Sequence, residues 1–515
     1  MSMGELVVGS KRVKARPIKK LLIANRGEIA LRIIRSARVL GIKTVAVYSE
    51  ADAAMAHVAT ADEAYLIGPP EASQSYLNVG AIIEAAAVAG ADAVHPGYGF
   101  LSERPEFARA VTQAGIVFVG PPAGVMAALG DKVAARQLAV RAEVPVVPGI
   151  DAGDIASARR FGEQAGFPIL VKAAAGGGGR GMRVVGEAAA LETSLEAASR
   201  EAQAAFGDGH VFLEKYLARP RHVEVQLLGD NHGGVAALGE RDCSIQRRHQ
   251  KIIEESPAPG LSGKMRDRMI EAALNLSRAT GYRSAGTVEF LVEGGDFYFL
   301  EVNARLQVEH PVTEMRFGCD LVAEQLRLAS GEKVKEPGEP RGCAIECRIN
   351  AEDAEHDFRP ATGRVLGLSL PAGPGVRVDT HLGIGTEVSP YYDSLVAKVI
   401  CFGEDREQAR ARTVAALDEF ALLGIRNTAA FLRDVVASEP FADAKLSTRF
   451  LEEFFPRWHP DDDALKAALI AAAIAAQGAG TAGGGASNGM RPGASGSPGR
   501  SPWSGLAGFE VWGRR

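Results

Sequence analysis

The chain has 515 residues, of which 46% are hydrophobic and 23% charged, and its net charge is −5 at pH 7. This length predicts about two to four domains, because a single hydrophobic core stops growing at roughly 250–300 residues. The composition is typical of a globular protein, and the acidic balance argues against nucleic acid or an anionic membrane as the main partner. We find no stretch near the ~20 apolar residues that span a bilayer, and no apolar core of a secretory signal. The cysteine spacings indicate free thiols in a reducing cytoplasm rather than disulfides or a zinc site.

The first predicted domain, residues 18–130, alternates strands with helices. An apolar run at residues 21–24 leads through Asn25-Arg26-Gly27 into a helical pattern that ends near Gly41. Further strands are expected at residues 44–48, 91–94 and 116–119. The alternation predicts an open α/β domain with a parallel sheet. Because GxGxxG is absent from the first turn, this Rossmann-like unit is not assigned a dinucleotide.

A glycine run, residues 176–179, follows the apolar strand that ends at Lys172. Consecutive glycines leave backbone N–H groups uncovered and allow positive φ, so the loop can close over phosphate oxygens. The ammonium of Lys172 would reach the same phosphates. A flexible surface hairpin is the alternative, and the loop is not a P-loop because no Gly-Lys-Ser/Thr closes it.

Two strands of a hairpin are predicted at residues 287–293 and 297–303, because polar and apolar side chains alternate in both segments. A three-residue turn centred on Gly295 would place Glu289 directly opposite Glu301. The other face should enter the core, with Val288, Phe290, Val292, Tyr298, Leu300 and Val302.

The same pairing would place Asn303 opposite Thr287, beside the two carboxylates. Like charges that face each other destabilise a sheet unless something neutralises them. A divalent cation held by Glu289, Glu301 and Asn303 would do so, and a few oxygen ligands favour Mg²⁺ shared with phosphates. The alternative is a carboxylate that is exposed or paired with Lys or Arg.

The polar alternation continues beyond this hairpin through Arg305, Gln307 and Glu309. If the backbone stays extended, a glutamate beside Arg305 would remain ionised and act as a general base. A polar strand face in water is the other interpretation. A basic cluster at residues 241–251 is typical of a solvated face, and it lacks the aromatic residues expected for nucleic-acid binding.

Together these segments resemble the biotin carboxylase family along residues 18–458. The motifs that carry the resemblance are Ile23-Ala-Asn-Arg-Gly-Glu-Ile-Ala, His95-Pro-Gly-Tyr-Gly-Phe-Leu-Ser-Glu, Gly130-Asp-Lys, residues 172–182, residues 241–251, Glu301-Val-Asn-Ala-Arg-Leu-Gln-Val-Glu-His-Pro-Val-Thr-Glu and Glu346-Cys-Arg-Ile-Asn-Ala-Glu. The string from Glu301 is highly specific, whereas ATP-grasp relatives share the glycine loop. Ala175 stands where many relatives have glycine, which we expect to alter loop mobility rather than the reaction.

The resemblance implies a multidomain α/β and α+β protein with an ATP-grasp fold. The implied organisation is a disordered tail (1–17), a Rossmann-like N-terminal domain (18–130), an ATP-grasp domain (131–338) whose mobile lid is about 131–217, a C-terminal biotin carboxylase domain (339–460), and an alanine-rich helix with a Gly/Ser/Pro-rich linker or truncated accessory segment (461–515).

The resemblance also implies carboxylation of biotin with ATP and bicarbonate, through carboxyphosphate. The implied ATP contacts are Lys132, Lys172, Gly177, Gly178, Gly179, Met182, Glu214, Lys215, Leu217, His222, Gln246 and His249. Mg²⁺ or Mn²⁺ would be held by Glu289 and Glu301 with Asn303. Bicarbonate would be held by Lys251, Arg305, Gln307 and the Val308 backbone. The implied catalytic residues are Glu309 as the base, Arg348 at the biotin oxyanion, Arg305 and Lys251.

The partners implied are a biotin carrier protein or domain and a carboxyltransferase, within a homodimer or larger complex in the cytoplasm. No Ala-Met-Lys-Met string occurs, so the carrier is expected on another polypeptide or on a longer form of this subunit. Residues 501–509 resemble the segment after the carboxylase domain in methylcrotonyl-type α subunits. Two other functions stay open: another ATP-grasp ligase such as a carbamoyl-phosphate synthetase half, and a catalytically silent ATP-binding scaffold.

Overall fold

The computed structural model describes residues 16–151, 154–173, 182–206 and 209–461. The predicted loop glycines Gly177, Gly178 and Gly179 therefore lie outside the described residues, as do most of the two predicted terminal segments. Within the described ranges, no helix is both long and apolar enough to cross a membrane.

The N-terminal region is a parallel sheet flanked by helices. Its elements are β1 (Lys20–Ile23), α1 (Gly27–Val39), β2 (Lys43–Ser49), α2 (Ala56–Thr60), β3 (Glu63–Gly68), α3 (Val79–Ala89), β4 (Ala93–His95), α4 (Pro105–Gln113), β5 (Val117–Phe118) and α5 (Ala123–Gly130). The strand order is β3-β2-β1-β4-β5. Helix α1 buries Ile29, Ile33 and Ala37, which recur at a spacing of four as the sequence pattern predicts. The parallel α/β sheet is thus confirmed, although the pattern does not predict the half-exposed edge strand β3.

A small antiparallel sheet follows and has a core of its own. Its elements are α6 (Lys132–Arg141), β6 (Gly149–Asp151), α7 (Ile155–Ala165), β7 (Ile169–Ala173), β8 (Met182–Val185), α8 (Leu191–Phe206) and β9 (Val211–Lys215). The strand order is β6-β9-β7-β8. Strands β7 and β8 lie on either side of the glycine run, with Lys172 opposite Met182. Ile169, Val171 and Leu213 are buried in a cluster formed within this unit.

A large antiparallel sheet is the centre of the remaining chain. The elements are β10 (Arg221–Gly229), β11 (Val235–Arg247), β12 (Gln250–Ser256), α9 (Gly263–Thr280), β13 (Ser284–Glu293), β14 (Asp296–Asn303), α10 (His310–Phe317), α11 (Leu321–Ala329), β15 (Cys343–Asn350), β16 (Glu352–Asp353), β17 (Arg359–Pro360), β18 (Gly363–Arg364), β19 (Gly367–Ser369), β20 (Val376–Thr380), β21 (Glu387–Val388), β22 (Leu395–Gly403), α12 (Arg406–Glu419), β23 (Ala421–Leu423), α13 (Ala429–Ala437), α14 (Glu439–Ala442) and α15 (Phe450–Phe454). The order in the eight-stranded sheet is β14-β13-β10-β11-β12-β15-β22-β20. Because β12 pairs with β15, one sheet continues across residues 338 and 339, where the sequence predicts a domain boundary.

The turn between β13 and β14 is shorter than the sequence pattern predicts. Glu293 pairs with Asp296, so the turn contains only Gly294 and Gly295, whose φ values are 63° and 88°. Two consecutive residues with positive φ form the hairpin turn that best fits the strand twist, and glycine adopts it without strain. The predicted three-residue turn is therefore wrong.

A β-bulge compensates for the missing turn residue. The register shifts by one residue at Leu300, so Glu289 still faces Glu301, as predicted. The bulge also changes which side chains of β14 enter the core. Phe297 and Phe299 are buried, whereas Leu300 is 39% exposed. The prediction that Tyr298 and Leu300 lie in the core is wrong, because it assumes unbroken alternation.

Candidate active site

A row of charged side chains crosses four neighbouring strands of the large sheet. Glu301 on β14 faces Glu289 on β13, Glu289 faces Glu224 on β10, and Glu224 faces Arg241 on β11. Glu224 and Arg241 are both fully buried, and Arg241 Nε lies 2.6 Å from Glu224 Oε1. Three carboxylates in one row need more positive charge than Arg241 alone supplies.

Lys251 on β12 provides the second cation. Its Nζ lies 2.6 Å from Glu224 Oε2, 2.7 Å from Glu289 Oε1 and 2.7 Å from Glu309 Oε1. Burial alone would lower the pKa of Lys251, but the three carboxylates outweigh it and the pKa stands well above its ordinary value. Lys251 is therefore a largely buried ammonium that joins three acidic side chains.

Glu309 lies between two cations at the N-terminus of α10. Its Oε1 contacts Lys251, and its Oε2 lies 2.8 Å from Arg348 Nη2 on β15. Burial raises the pKa of Glu309, but Lys251, Arg348 and Arg241 together hold that pKa well below its ordinary range. The carboxylate is ionised and can accept a proton.

Residues 304–309 do not extend β14. The strand ends at Asn303, an irregular segment follows, and α10 begins at His310. The expectation of an extended backbone is thus wrong. Glu309 reaches the site because it occupies the N-cap position of α10, which directs it towards β12 and β15.

Arg305 has a different neighbour from the one the sequence suggests. Its Nε lies 2.9 Å from Oε2 of Glu103, and its other nitrogens lie 3.2 Å from the side-chain oxygens of Asn303 and Gln307. Arg305 forms no hydrogen bond or ion pair with Glu309. Burial lowers the pKa of Arg305, but the charge of Glu103 and, less strongly, that of Glu309 raise this pKa overall. The carbonyl of Val308 accepts a hydrogen bond of 2.9 Å from Lys398 Nζ.

The two facing carboxylates, Glu289 and Glu301, fit a divalent cation. Burial raises the pKa of Glu301, and the charge of Glu289 raises it further. Among the described residues, no side chain forms a hydrogen bond or ion pair with the Glu301 carboxylate. Asn303 donates from Nδ2 to Glu289 Oε1 at 2.6 Å and offers its oxygen to Arg305. As a third metal ligand, Asn303 would have to exchange the contact with Arg305.

Part of the implied ATP contacts lie on the small sheet. Lys172 Nζ and Glu214 Oε2, from the adjacent strands β7 and β9, form an ion pair of 2.7 Å. Lys132 is exposed at the first residue of α6. The side chain of Met182 is 43% exposed where β8 begins. Lys215 and Leu217 are half-buried at the end of β9 and just beyond it.

The other implied ATP contacts lie on the large sheet. Gln246 Nε2 is 2.7 Å from His222 Nδ1, and His222 Nε2 is 2.8 Å from Glu289 Oε2. Burial lowers the pKa of His222, but Glu289 outweighs this and the pKa is raised overall. His249 is exposed in the turn between β11 and β12. His222, Glu224 and Glu289 also bring their ligand atoms within 4.8 Å of one another.

The basic cluster at residues 241–251 is only partly the solvated face that the sequence suggests. Arg248 and His249 are exposed. Arg241 is fully buried, and Arg247 lies 4.2 Å above the centre of the Phe358 ring. The cluster therefore contributes two of its cations, Arg241 and Lys251, to the site.

Sequence reasoning misses several residues of the candidate site, above all Glu224, Glu103 and Glu254. The last of these lies 2.6 Å from Arg348 Nε. A signal for Glu224 exists in the alternation of β10, which places Glu224 on the same side of the strand as His222. Glu103 belongs to a quoted motif, but its contact with Arg305 joins positions far apart in the chain and leaves no local signal.

Comparison with known proteins gives the class of this fold. Sequence models of three families match consecutive parts of the chain: the N-terminal domain of biotin carboxylase at residues 17–126, the ATP-binding domain of the carbamoyl-phosphate synthase L chain at 131–337, and the C-terminal domain of biotin carboxylase at 346–453. The fold is an ATP-grasp carboxylase fold, as the resemblance implies.

Individual relatives agree with this class. A biotin carboxylase of Pseudomonas aeruginosa is 51% identical over 442 residues, which are 85% of this chain and 98% of that protein. The mitochondrial α subunit of methylcrotonoyl-CoA carboxylase from Dictyostelium discoideum is 44% identical over 98% of this chain and 72% of its own length. A crystal structure of the biotin carboxylase domain dimer of Hydrogenobacter thermophilus 2-oxoglutarate carboxylase, with MgADP, ADP and bicarbonate, has a TM-score of 0.78 at 44% identity and covers 85% of this chain and 98% of its own. The chain belongs to the biotin carboxylase family.

Proposed function

We propose that this chain carboxylates biotin with ATP and bicarbonate, and that Glu309 is the base of the reaction. The observation that carries the assignment is the ionised Glu309 carboxylate held between Lys251 and Arg348, at 2.7 and 2.8 Å. A base must accept a proton, and an anionic substrate needs cations around it. Glu309 can accept the proton, and Lys251 and Arg348 supply the cations.

Bicarbonate would bind to Lys251, Arg305, Gln307 and the backbone of Val308. Bicarbonate is a weak nucleophile, so Glu309 would take its proton while an oxygen of the anion attacks the γ-phosphorus of ATP and ADP leaves. As Lys251 turns to the bound anion, Glu309 loses a cation and its pKa rises, which makes it a stronger base. The product of this step is carboxyphosphate.

Mg²⁺ or Mn²⁺ held by Glu289 and Glu301 would neutralise phosphate charge during the transfer. Asn303 would complete the set of oxygen ligands. The facing carboxylates and the raised pKa of Glu301 support this placement.

Arg348 would serve the second step, in which carboxyphosphate breaks down to CO₂ and phosphate and the released phosphate takes a proton from biotin. The guanidinium would stabilise the negative charge that develops on the biotin ureido oxygen. The contact of Arg348 with Glu309 supports this role, because it places the guanidinium beside the proposed base.

We assign nucleotide binding to residues of the small sheet and the large one. The implied set is Lys132, Lys172, Gly177, Gly178, Gly179, Met182, Glu214, Lys215, Leu217, His222, Gln246 and His249. In this assignment residues 131–217 form a lid that closes over ATP and keeps water from carboxyphosphate. The ion pair of Lys172 with Glu214 would open when Lys172 turns to phosphate.

The same proposal extends to domains, partners and location. We propose domains at residues 18–130, 131–338 and 339–460, a biotin carrier protein or domain, a carboxyltransferase, a homodimer and a cytoplasmic location. The names of the relatives support a place in a biotin-dependent carboxylase, and one solved relative is a dimer.

The test is ADP release by the purified chain with Mg²⁺ and bicarbonate, with and without free biotin. We expect release that depends on both bicarbonate and biotin, together with carboxybiotin trapped from labelled bicarbonate. ATP hydrolysis indifferent to biotin would indicate another ATP-grasp ligase. Nucleotide binding without turnover would indicate a silent scaffold.

A further inference from the structure

A second pair of carboxylates faces each other across the large sheet, away from the proposed metal ligands. Glu254 on β12 pairs directly with Glu346 on β15. Both side chains are fully buried. Their neighbours Ile253 and Cys347 point into the apolar cluster on the opposite face. The pair is therefore enclosed within the sheet.

Among the residues that the structure describes, only one of the four carboxylate oxygens has a hydrogen-bond partner. Glu254 Oε1 lies 2.6 Å from Nε of Arg348. Glu254 Oε2 and both oxygens of Glu346 have no hydrogen-bond partner among the described residues. Lys398 is the cation on the neighbouring strand β22, but its Nζ donates to the Val308 carbonyl at 2.9 Å and lies 3.3 Å from Glu28.

Glu289 and Glu301 also face each other in register, but their surroundings differ from those of Glu254 and Glu346. Glu289 is contacted by Lys251, Asn303 and His222, and Glu301 borders the site. The pair of Glu254 and Glu346 has one guanidinium in contact for two carboxyl groups, and both side chains are fully buried. In a medium of low dielectric constant, two facing carboxyl groups are not both ionised when a single cation contacts one of them.

We infer that Glu254 and Glu346 form a carboxyl pair that retains one proton and positions Arg348. Of the two carboxyl groups, Glu254 contacts the guanidinium and carries the negative charge, and Glu346 carries the proton. Glu254 is thus a positioning residue, which acts on the second step of the reaction through Arg348. The inference rests on the proposed role of Arg348.

The electrostatics of the surroundings favour a retained proton, because the pKa of each carboxyl group is raised. Burial raises the pKa of Glu254 to about 7, against the lowering effect of Arg348. Burial also raises the pKa of Glu346 well above its ordinary value, despite Lys398. The remaining charged or titratable groups that act on the pair are Glu309, Lys251 and the thiols of Cys243 and Cys347.

The pair matters when Glu309 is protonated. At rest, Arg348 is shared between Glu254 and Glu309. Once Glu309 takes the proton of bicarbonate, it becomes neutral and holds Arg348 less firmly. Glu254 then remains as the anion that keeps the guanidinium in place for biotin. Glu346 can stay neutral throughout.

The test compares Glu254→Gln with Glu346→Gln in steady-state assays with free biotin. We expect Glu254→Gln to raise the KM for biotin by roughly tenfold or more while the KM for ATP changes less than about twofold. Glu346→Gln should raise the KM for biotin by less than about threefold, because an amide reproduces a neutral acid. An effect of Glu346→Gln as large as that of Glu254→Gln would overturn the assignment of the proton.

Infrared difference spectroscopy tests the proton without an activity assay. The spectrum of the wild type minus Glu346→Gln at neutral pH should contain the C=O band of a protonated carboxylic acid, shifted in D₂O. A carboxylate band in its place would overturn the inference. Arg348→Gln separates the two proposals: an unchanged KM for biotin in that variant would refute the role of Arg348, whereas the infrared band still decides the state of the pair.

Discussion

The ammonium of Lys251 lies 2.7 Å from the carboxylate of Glu309, where α10 begins against the large sheet. Lys251 comes from β12 in the middle of that sheet, and Glu309 from the residue before the helix. The contact keeps Glu309 ionised and ready to accept a proton. The proposed base and the main cation of the site are therefore in direct contact in this structure.

Glu309→Gln is expected to abolish most turnover and leave nucleotide binding intact. The amide keeps the shape of the side chain but accepts no proton, and loss of a general base costs on the order of 10²–10⁴-fold in rate. Bicarbonate-dependent ADP release measures the first effect, and calorimetric titration with ADP measures the second. The exposed Glu332 gives a control, since Glu332→Gln should behave as the wild type. Normal turnover in Glu309→Gln would remove this residue from its role.

Lys251→Met is expected to destabilise the fold as well as stop the reaction. The change leaves Glu224, Glu289 and Glu309 without their shared cation, and an uncompensated buried charge costs on the order of 3–5 kcal/mol. Urea unfolding measures the loss. The matched control is Lys445→Met, which breaks an exposed pair with Asp443 and should change stability little. Equal midpoints for the two variants would contradict the view of Lys251 as the electrostatic centre of the site.

Local periodicity predicts those parts of the site that lie within one hairpin. The period-two pattern finds Glu289 opposite Glu301, because alternation decides the face of a strand whatever the rest of the fold does. The same reasoning misjudges the turn and the core side chain of Leu300, since a bulge is set by the packing of Phe297 and Phe299 against the sheet.

Contacts between distant strands have no comparable sequence signal. Glu309 meets Lys251 and Arg348 only because β12 and β15 become neighbours in the sheet, and the pairing of β12 with β15 joins segments about ninety residues apart. Arg305 similarly finds Glu103 from the N-terminal region. The resemblance to biotin carboxylases implies that Glu309, Lys251, Arg348 and Arg305 are site residues, but only the folded chain shows which side chains are in contact.

Glu301→Gln is expected to weaken metal binding and stabilise the metal-free protein. The variant loses one of two facing carboxylates, so the Mg²⁺ concentration for half-maximal activity should rise by about tenfold or more, equivalent to roughly 1.4 kcal/mol. Without metal, it also removes the repulsion from Glu289, so the free energy of unfolding should increase. Asp296→Asn, at the exposed end of the same hairpin, is the control. A variant with unchanged Mg²⁺ dependence would exclude Glu301 as a ligand.

The buried side chain of His57 is expected to lower the free energy of unfolding as the pH falls. Its side chain is fully buried, and burial, the largest influence, lowers its pKa from 6.5 to about 4 while Asp52 opposes the shift. Below pH 6.5 the unfolded chain therefore binds a proton at His57, whereas the folded chain binds it only near pH 4. The contribution of His57 to stability is present above pH 6.5 and is lost as the pH falls from 6.5 to about 4. Between pH 7 and pH 5 the loss should be roughly 2 kcal/mol. Urea unfolding at both pH values should show a smaller pH-dependent loss for His57→Leu than for the wild type, and no such reduction for His459→Leu, which changes an exposed histidine. If His57→Leu and the wild type lose the same free energy of unfolding, His57 is not the group that titrates.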